Sequence, residues 1–347
     1  MKVLESALSL VERGYVPEWI SRQGIRRLLR TRLRHEASGS SAEDRRRLQQ
    51  FVEELRHSDV ALDTDKANQQ HYELPPEFFV EVLGRHLKYS CCYWDGGTDD
   101  LDRAEARMLE LTSERAQLAD GQDILELGCG WGSLGLWMAE RFPSSRILAM
   151  SNSAPQREFI LQRAARSGLT NLQVITCDVN EFQTDLRFDR VVSVEMFEHV
   201  RNYAVLMNRI SRWLRPDGKL FVHIFCHRRF AYPFETEGAD NWMGRYFFTG
   251  GIMPSDDLLL HFQDDLQLDT RWTVEGTHYA RTARAWLDRM TQNRPSIDPI
   301  LARVYGRDNV TVWRNRWRLF FMACEELFGY ENGREWWVGH YRFRRRD

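Results

Sequence analysis

The chain has 347 residues, 43% of them hydrophobic and 12% aromatic, enough for one large domain or two smaller ones with a substantial core; overall disorder is excluded. A formal net charge of -2 speaks against a dedicated nucleic-acid binder. No apolar run reaches the roughly 18 residues of a membrane span, no compact apolar signal core opens the chain, and six cysteines show no CxxC pair. A cytoplasmic protein with reduced thiols is expected.

From Pro17 to Arg34, Ile25, Leu28, Leu29 and Leu33 recur at helical spacing, surrounded by Arg22, Arg26, Arg27, Arg30, Arg32 and Arg34, a run with no acid inside it. Ser38-Gly39-Ser40-Ser41 breaks the pattern, and Ser41 with Asp44 three residues on can cap a second helix running to about His57. Residues 1–115 thus read as a helical N-terminal lid region. Its arginine run is either a solvated face or a contact for anionic membranes.

Residues 116–347 alternate. Short apolar strands are predicted at 123–127, 146–150, 172–176, 189–194 and 219–225, separated by helical or loop stretches. This is the pattern of an α/β fold with a parallel sheet, whose strand ends converge on one rim. After Cys226 an aromatic-rich stretch is expected to form a cap over the site, at about 226–290.

The strand Ile124–Leu127 runs into Gly128-Cys129-Gly130-Trp131-Gly132. Glycines at these positions permit a tight turn, close backbone approach to a ligand and close packing of the following helix. The dinucleotide fingerprint is GxGxxG with an acid about 20 residues on; here the next strand, Ile147-Leu148-Ala149-Met150, ends in Ser151-Asn152-Ser153. That pattern disfavours NAD and points to S-adenosylmethionine. Asn152 and Gln156 are candidates for the ribose diol. Asp178 could accept the adenine amino group or cap a helix, with Val179 against the ring.

Glu195, Glu198 and His199 offer two carboxylates and an imidazole within five residues. Were a helix to begin there, Glu195 and His199 would stand at i and i+4 on one face. An amine must lose its proton before it attacks a methyl group, and a positioned base contributes on the order of 10²–10⁴-fold. No metal is called for.

The glycine loop, Ser151–Gln156 and Val194-Glu195-Met196-Phe197-Glu198-His199-Val200 resemble the cyclopropane-fatty-acid-synthase-like methyltransferases, and most of all the plant coclaurine N-methyltransferase group. The likeness runs from His71-Tyr72-Glu73-Leu74-Pro75 through Tyr89-Ser90-Cys91-Cys92-Tyr93, Phe225-Cys226-His227, Arg245–Phe248 and Gly250–Ser255 to the C-terminus. It implies a Rossmann-like class I S-adenosylmethionine-dependent methyltransferase. Tyr89 and Ser90 would lie near the methionyl end of the cofactor, and Gly128, Gly130, Gly132, Ser151 and Asn152 would belong to its site. Glu195, Glu198 and His199 would bind and deprotonate a hydrophobic amine, a small-molecule acceptor of tetrahydroisoquinoline type; a homodimer is compatible with this reading.

The resemblance also implies a competing chemistry, methylene addition to an unsaturated lipid. There Cys91, Glu198, His223 and Tyr279 match a bicarbonate pocket, and Cys324 matches a cysteine assigned a catalytic role; a buried structural thiol is the alternative for Cys324. Phe230, Tyr232, Phe234, Trp242, Tyr246, Phe247 and Phe248 would enclose a flat amine, line an acyl channel, or simply pack the cap.

Overall fold

The computed structural model describes residues 2–62, 74–97, 100–238 and 241–346. His71, Tyr72 and Glu73 lie outside the described residues. Helices α1 (Lys2–Glu12), α2 (Glu18–Glu36) and α3 (Ser41–Arg56) open the chain. Ser40, not Ser41, caps α3: its backbone is extended just ahead of the first turn and its hydroxyl accepts from the Glu43 N–H at 3.5 Å. Asp44 instead folds back onto Ser38, taking its N–H at 3.0 Å and its hydroxyl at 2.6 Å.

Short helix α4 (Pro76–Val82) and α5 (Leu101–Ala116) lead into β1 (Asp123–Leu127), α6 (Ser133–Arg141), β2 (Arg146–Ser151), α7 (Ala154–Arg166), β3 (Leu172–Thr176) and β4 (Phe188–Val194). Then come α8 (Tyr203–Trp213) and β5 (Leu214–His227). The five expected strands are present and parallel, in the order β3-β2-β1-β4-β5. The order reverses between β1 and β4, and at such a switch point the C-terminal strand ends open into a crevice.

The stretch expected as a cap does more than cap. It holds a small antiparallel pair, β6 (Tyr232–Pro233) with β7 (Ile252–Met253), and the short α9 (Trp242–Tyr246), but Leu266–Val274 returns to the main sheet as edge strand β8. Helices α10 (Gly276–Gln292), α11 (Arg294–Tyr305) and α12 (Val310–Gly329) follow, and β9 (Trp336–Arg345) inserts antiparallel between β5 and β8. No helix among the described residues is long and apolar enough to cross a membrane.

Arginines of α2 find acids in tertiary structure. Arg22 donates to Glu18 at 2.9 Å, to Glu326 at 2.8 Å and to Glu325 at 2.7 Å, and Arg26 pairs with Glu326. The last two acids sit on α12, about 300 residues further along the chain. This pins the apolar face of α2, with Ile25 and Leu29, onto the large cluster around α10 and α12.

Gly132 begins α6 at φ +83°, and a Cβ there would stand 2.7 Å from Ile160 Cγ1 on α7. Its lack of a side chain serves helix packing. Gly132→Ala combines a left-handed strain with this overlap and is expected to destabilise the fold by about 1–3 kcal/mol, read from the shift in a urea unfolding midpoint.

Candidate active site

A cavity of about 370 Å³ lies at the switch point, beneath α2 and between the sheet rim, the β6–β7 segment and α12. Its lower part is built by strand ends. The Gly128 and Cys129 N–H groups both donate to the Met150 carbonyl, at 3.1 and 2.9 Å, so the glycine loop is tied to the end of β2. Gly128 (φ +80°) could not carry a side chain, since a Cβ would meet Met196 at 2.7 Å; at Gly130 (φ +50°) a Cβ would point into open space.

Tyr89, Ser90, Gly128, Gly130, Ser151, Asn152, Gln156, Asp178 and Val179 all line this cavity; Gly132 does not, for the packing reason given above. The Ser151 hydroxyl donates to Gln156 Oε1 at 2.6 Å, leaving the buried Gln156 Nε2 with no partner. One Asp178 oxygen accepts from the Asn180 N–H at 2.7 Å in a local turn. Glu126, in the middle of β1, also faces the cavity with Oε2 unpaired, and burial pushes its carboxyl up to about 8. Buried polar atoms without partners are uncommon, and an unpaired donor on Gln156 with an unpaired acceptor on Glu126 in one cavity fits a ligand carrying both hydroxyl and ammonium groups.

Glu126 was missed as a candidate although it stands in the motif strand. A lone charged residue inside Ile124-Leu125-Glu126-Leu127, two residues before the glycine loop, is the signal that could have found it.

The upper part holds the acid–base groups, and here one expectation is corrected. Glu195 and His199 are not on a helix at i and i+4. Glu195 directly follows β4 with φ +47°, and only a single 3₁₀ turn, Phe197–His199, comes after it. A non-glycine residue in the left-handed region costs about 1 kcal/mol or more and persists where its surroundings hold it. The Glu195 N–H donates to the His223 carbonyl at 2.8 Å, and its carboxylate is gripped from three sides. Oε1 accepts from the Cys91 N–H at 2.9 Å and faces His223 Nε2 at 3.2 Å; Oε2 accepts from the Tyr279 hydroxyl at 2.5 Å.

Glu198 turns away. It lies behind the wall formed by Glu195, Met196 and His199, where Oε1 accepts from the Phe225 N–H at 2.9 Å and Oε2 has no partner. Burial, and then the neighbouring Glu195 charge, push the Glu198 carboxyl well up. Burial also raises Glu195, but Lys88, the Cys91 N–H, Tyr279 and His199 oppose it. Of this pair Glu195 is the one whose surroundings favour the charged form and Glu198 the neutral one, because only Glu195 has its lone pairs met by several donors. His199, also in the wall, is pushed down to about 4 by burial and is a neutral imidazole near pH 7.

Cys91, His223 and Tyr279, matched to a bicarbonate pocket by resemblance, thus all contact the protein's own Glu195 carboxylate. Cys324 lines the cavity from α12, but burial pushes its thiol well up, so it presents a thiol and not a thiolate.

Of the aromatic segment, Tyr232, Phe234, Trp242 and Phe248 reach the cavity. Phe247 stacks on Phe320 at 4.2 Å, Phe230 on His227 at 5.0 Å, and Tyr246 lies under the Arg316 guanidinium at 4.4 Å. Trp286 on α10 and Phe320 and Phe328 on α12 complete the wall. Their helical spacing reads equally as core, and nothing local marks them as pocket residues.

A glycine-loop crevice at the switch point of a 3-2-1-4-5 sheet, with orphaned donor and acceptor beside it, defines a class I S-adenosylmethionine-dependent methyltransferase. The family model described as mycolic acid cyclopropane synthetase matches residues 61–334. The (S)-coclaurine N-methyltransferase of Thalictrum flavum subsp. glaucum is 36% identical over 99% of this chain and 96% of that protein. The crystal structure of coclaurine N-methyltransferase bound to N-methylheliamine and SAH superposes with a TM-score of 0.95, at 36% identity and 99% coverage of both chains. The cyclopropane-fatty-acyl-phospholipid synthase of Escherichia coli strain K12 is 30% identical over 66% of this chain and 57% of that one. The chain belongs to the cyclopropane-synthase family of S-adenosylmethionine-dependent methyltransferases, on the branch of the coclaurine-type N-methyltransferases.

Proposed function

We propose that the enzyme transfers a methyl group from S-adenosylmethionine to the nitrogen of a hydrophobic secondary or tertiary amine, of the tetrahydroisoquinoline class. The observation that carries this reading is the Glu195 carboxylate, held by the Cys91 N–H, His223 and the Tyr279 hydroxyl beside a neutral His199, in the wall of a cavity lined by aromatic rings. Such an amine arrives as a cation. Ring faces of Tyr232, Phe234 and Trp242 and the charge on Glu195 attract it, while the apolar wall strips its water.

His199 is unprotonated throughout the neutral range and can accept the amine proton, freeing the lone pair; Glu195 compensates the positive charge that forms. Glu198, behind them, supports the turn through the Phe225 N–H. The cofactor supplies an electrophilic methyl group to this nitrogen. Glu126 would hold its ammonium, Gln156 and Asn152 its ribose hydroxyls, and Asp178 and Val179 its adenine, with Tyr89 and Ser90 at the methionyl end. Positioning of the two reactants then provides much of the acceleration.

The lipid-modifying reading is weaker, because donors that could hold bicarbonate already hold Glu195. A contact with anionic membranes retains one support: Arg27, Arg30 and Arg34 are exposed on α2, as are Trp19 and Ile20 near its start.

The test supplies methyl-labelled S-adenosylmethionine with bicarbonate to two separate acceptor sets, cyclic aromatic amines and unsaturated anionic phospholipid vesicles. Label on an amine nitrogen is expected. Label within an acyl chain, with none on amines, would overturn the assignment.

A further inference from the structure

A line of hydrogen bonds runs from the active-site carboxylate along one face of the sheet, across neighbouring strands. His223 on β5 and His340 on β9 are cross-strand partners, both fully buried. His223 Nε2 faces Glu195 Oε1 at 3.2 Å, His223 Nδ1 lies 2.8 Å from His340 Nε2, and His340 Nδ1 lies 2.8 Å from Arg115 Nη1 in the last turn of α5. Arg115 is itself fixed: its guanidinium lies over the Trp272 ring at 5.2 Å, and its carbonyl accepts from Arg342 Nη1 at 2.9 Å.

Chemistry orients this line. A guanidinium has N–H donors and no acceptor, so His340 Nδ1 must be the acceptor and the His340 proton must sit on Nε2. His340 Nε2–H then donates to His223 Nδ1, which leaves the His223 proton on Nε2, aimed at Glu195. Both rings are held neutral by burial, so each has one proton to place. Every bond points the same way, from the cation at the end of α5 to the anion at the site. The line cannot drain a proton to solvent, because its far end has no lone pair to receive one.

We infer that Arg115 is a positioning residue for catalysis: through the His340 and His223 tautomers it presents an N–H to Glu195 and keeps that carboxylate ionised. The inference rests on the reading of Glu195 as the carboxylate that faces the amine. Other groups around Glu195 are Lys88, Cys91, Glu198, His199, Tyr279 and Cys324; of these, the Lys88 charge also acts on both imidazoles and disfavours their protonated forms. Without the Arg115 donor both imidazoles can exchange tautomers. His223 then turns a lone pair toward Glu195, and the contact survives only if Glu195 is protonated.

The test pairs nitrogen-15 NMR of histidine-labelled protein with pH profiles of methyl transfer. In the wild type, His223 and His340 should both show the Nε2–H tautomer across neutral pH. In Arg115→Met the tautomers should mix and the acidic limb of kcat should move up by about one pH unit, so that kcat at a fixed pH on that limb falls on the order of tenfold, with KM for S-adenosylmethionine unchanged. Arg115→Lys, which restores a donor that cannot accept, should recover the tautomers and most of the rate. If Arg115→Met does not fold, His340→Leu cuts the same line one link nearer and must give the same upward shift.

Unchanged tautomers and an unchanged profile in Arg115→Met would overturn the inference, as would Arg115→Lys failing to restore either. The NMR readout needs no methyl acceptor. Wild-type tautomers as stated in an enzyme that methylates no amine would therefore discard the proposed substrate class and leave the hydrogen-bond line standing.

Discussion

Glu195→Gln is expected to lower kcat for methyl transfer to an amine by about 10²–10⁴-fold while leaving the dissociation constant of S-adenosylmethionine within a few-fold of wild type. The amide keeps the shape of the side chain, and its oxygen can still accept from Tyr279 or from the Cys91 N–H. What disappears is the negative charge opposite the developing ammonium, in a cavity where water cannot screen it. Glu195→Ala would be less informative, since it also strands buried donors and costs stability for that separate reason. Steady-state kinetics with calorimetric cofactor binding on the same preparation checks the result. Equal losses in turnover and cofactor affinity would remove Glu195 from the acceptor side of the site.

Cofactor binding should depend on pH through Glu126. Burial pushes this carboxyl up to about 8, so in the free enzyme at neutral pH it is mostly protonated, whereas pairing with the cofactor ammonium requires the carboxylate. The sign follows directly: below about pH 8 each unit of acidification weakens apparent affinity about tenfold, and binding releases close to one proton. Titration calorimetry in buffers of different ionisation enthalpy, from about pH 6 to about pH 8, measures both quantities. Glu126→Gln should bind more weakly at the upper end and show a flat profile with no proton release. A flat profile in the wild type would sink the assignment. Stability of the free enzyme runs the opposite way: an acid whose folded pKa is raised contributes below its unfolded pKa, and that contribution is lost as pH rises toward about 8. Cofactor should restore it.

Much of the scaffold is legible in local pattern. A parallel strand buried on both faces is a short apolar run, and the runs at 123–127, 146–150 and 172–176 coincide with β1, β2 and β3 within a residue. Alternate glycines after the first strand are legible for the same reason: backbone approach to a ligand and positive φ are local demands that few residues meet. The order of motifs sufficed to identify the family, since each motif is a contiguous stretch of chain.

The catalytic geometry was not legible, because its parts are distant in sequence. A helix across Glu195–His199 is what spacing suggests, and no rule of local propensity places a glutamate in the left-handed region. That conformation is held by Cys91, His223 and Tyr279, which arrive from a loop, a strand and a helix far apart in the chain. The same holds for the arginines of α2, whose acids lie on α12, and for β9, whose place between β5 and β8 no periodicity encodes. The order of residues by itself determined the elements, the cofactor loop and the family, through short-range sterics and hydrophobic period. Only tertiary structure decided which carboxylate is surrounded so as to favour charge and which is not, because charge in a buried site depends on how many donors the rest of the chain brings to it.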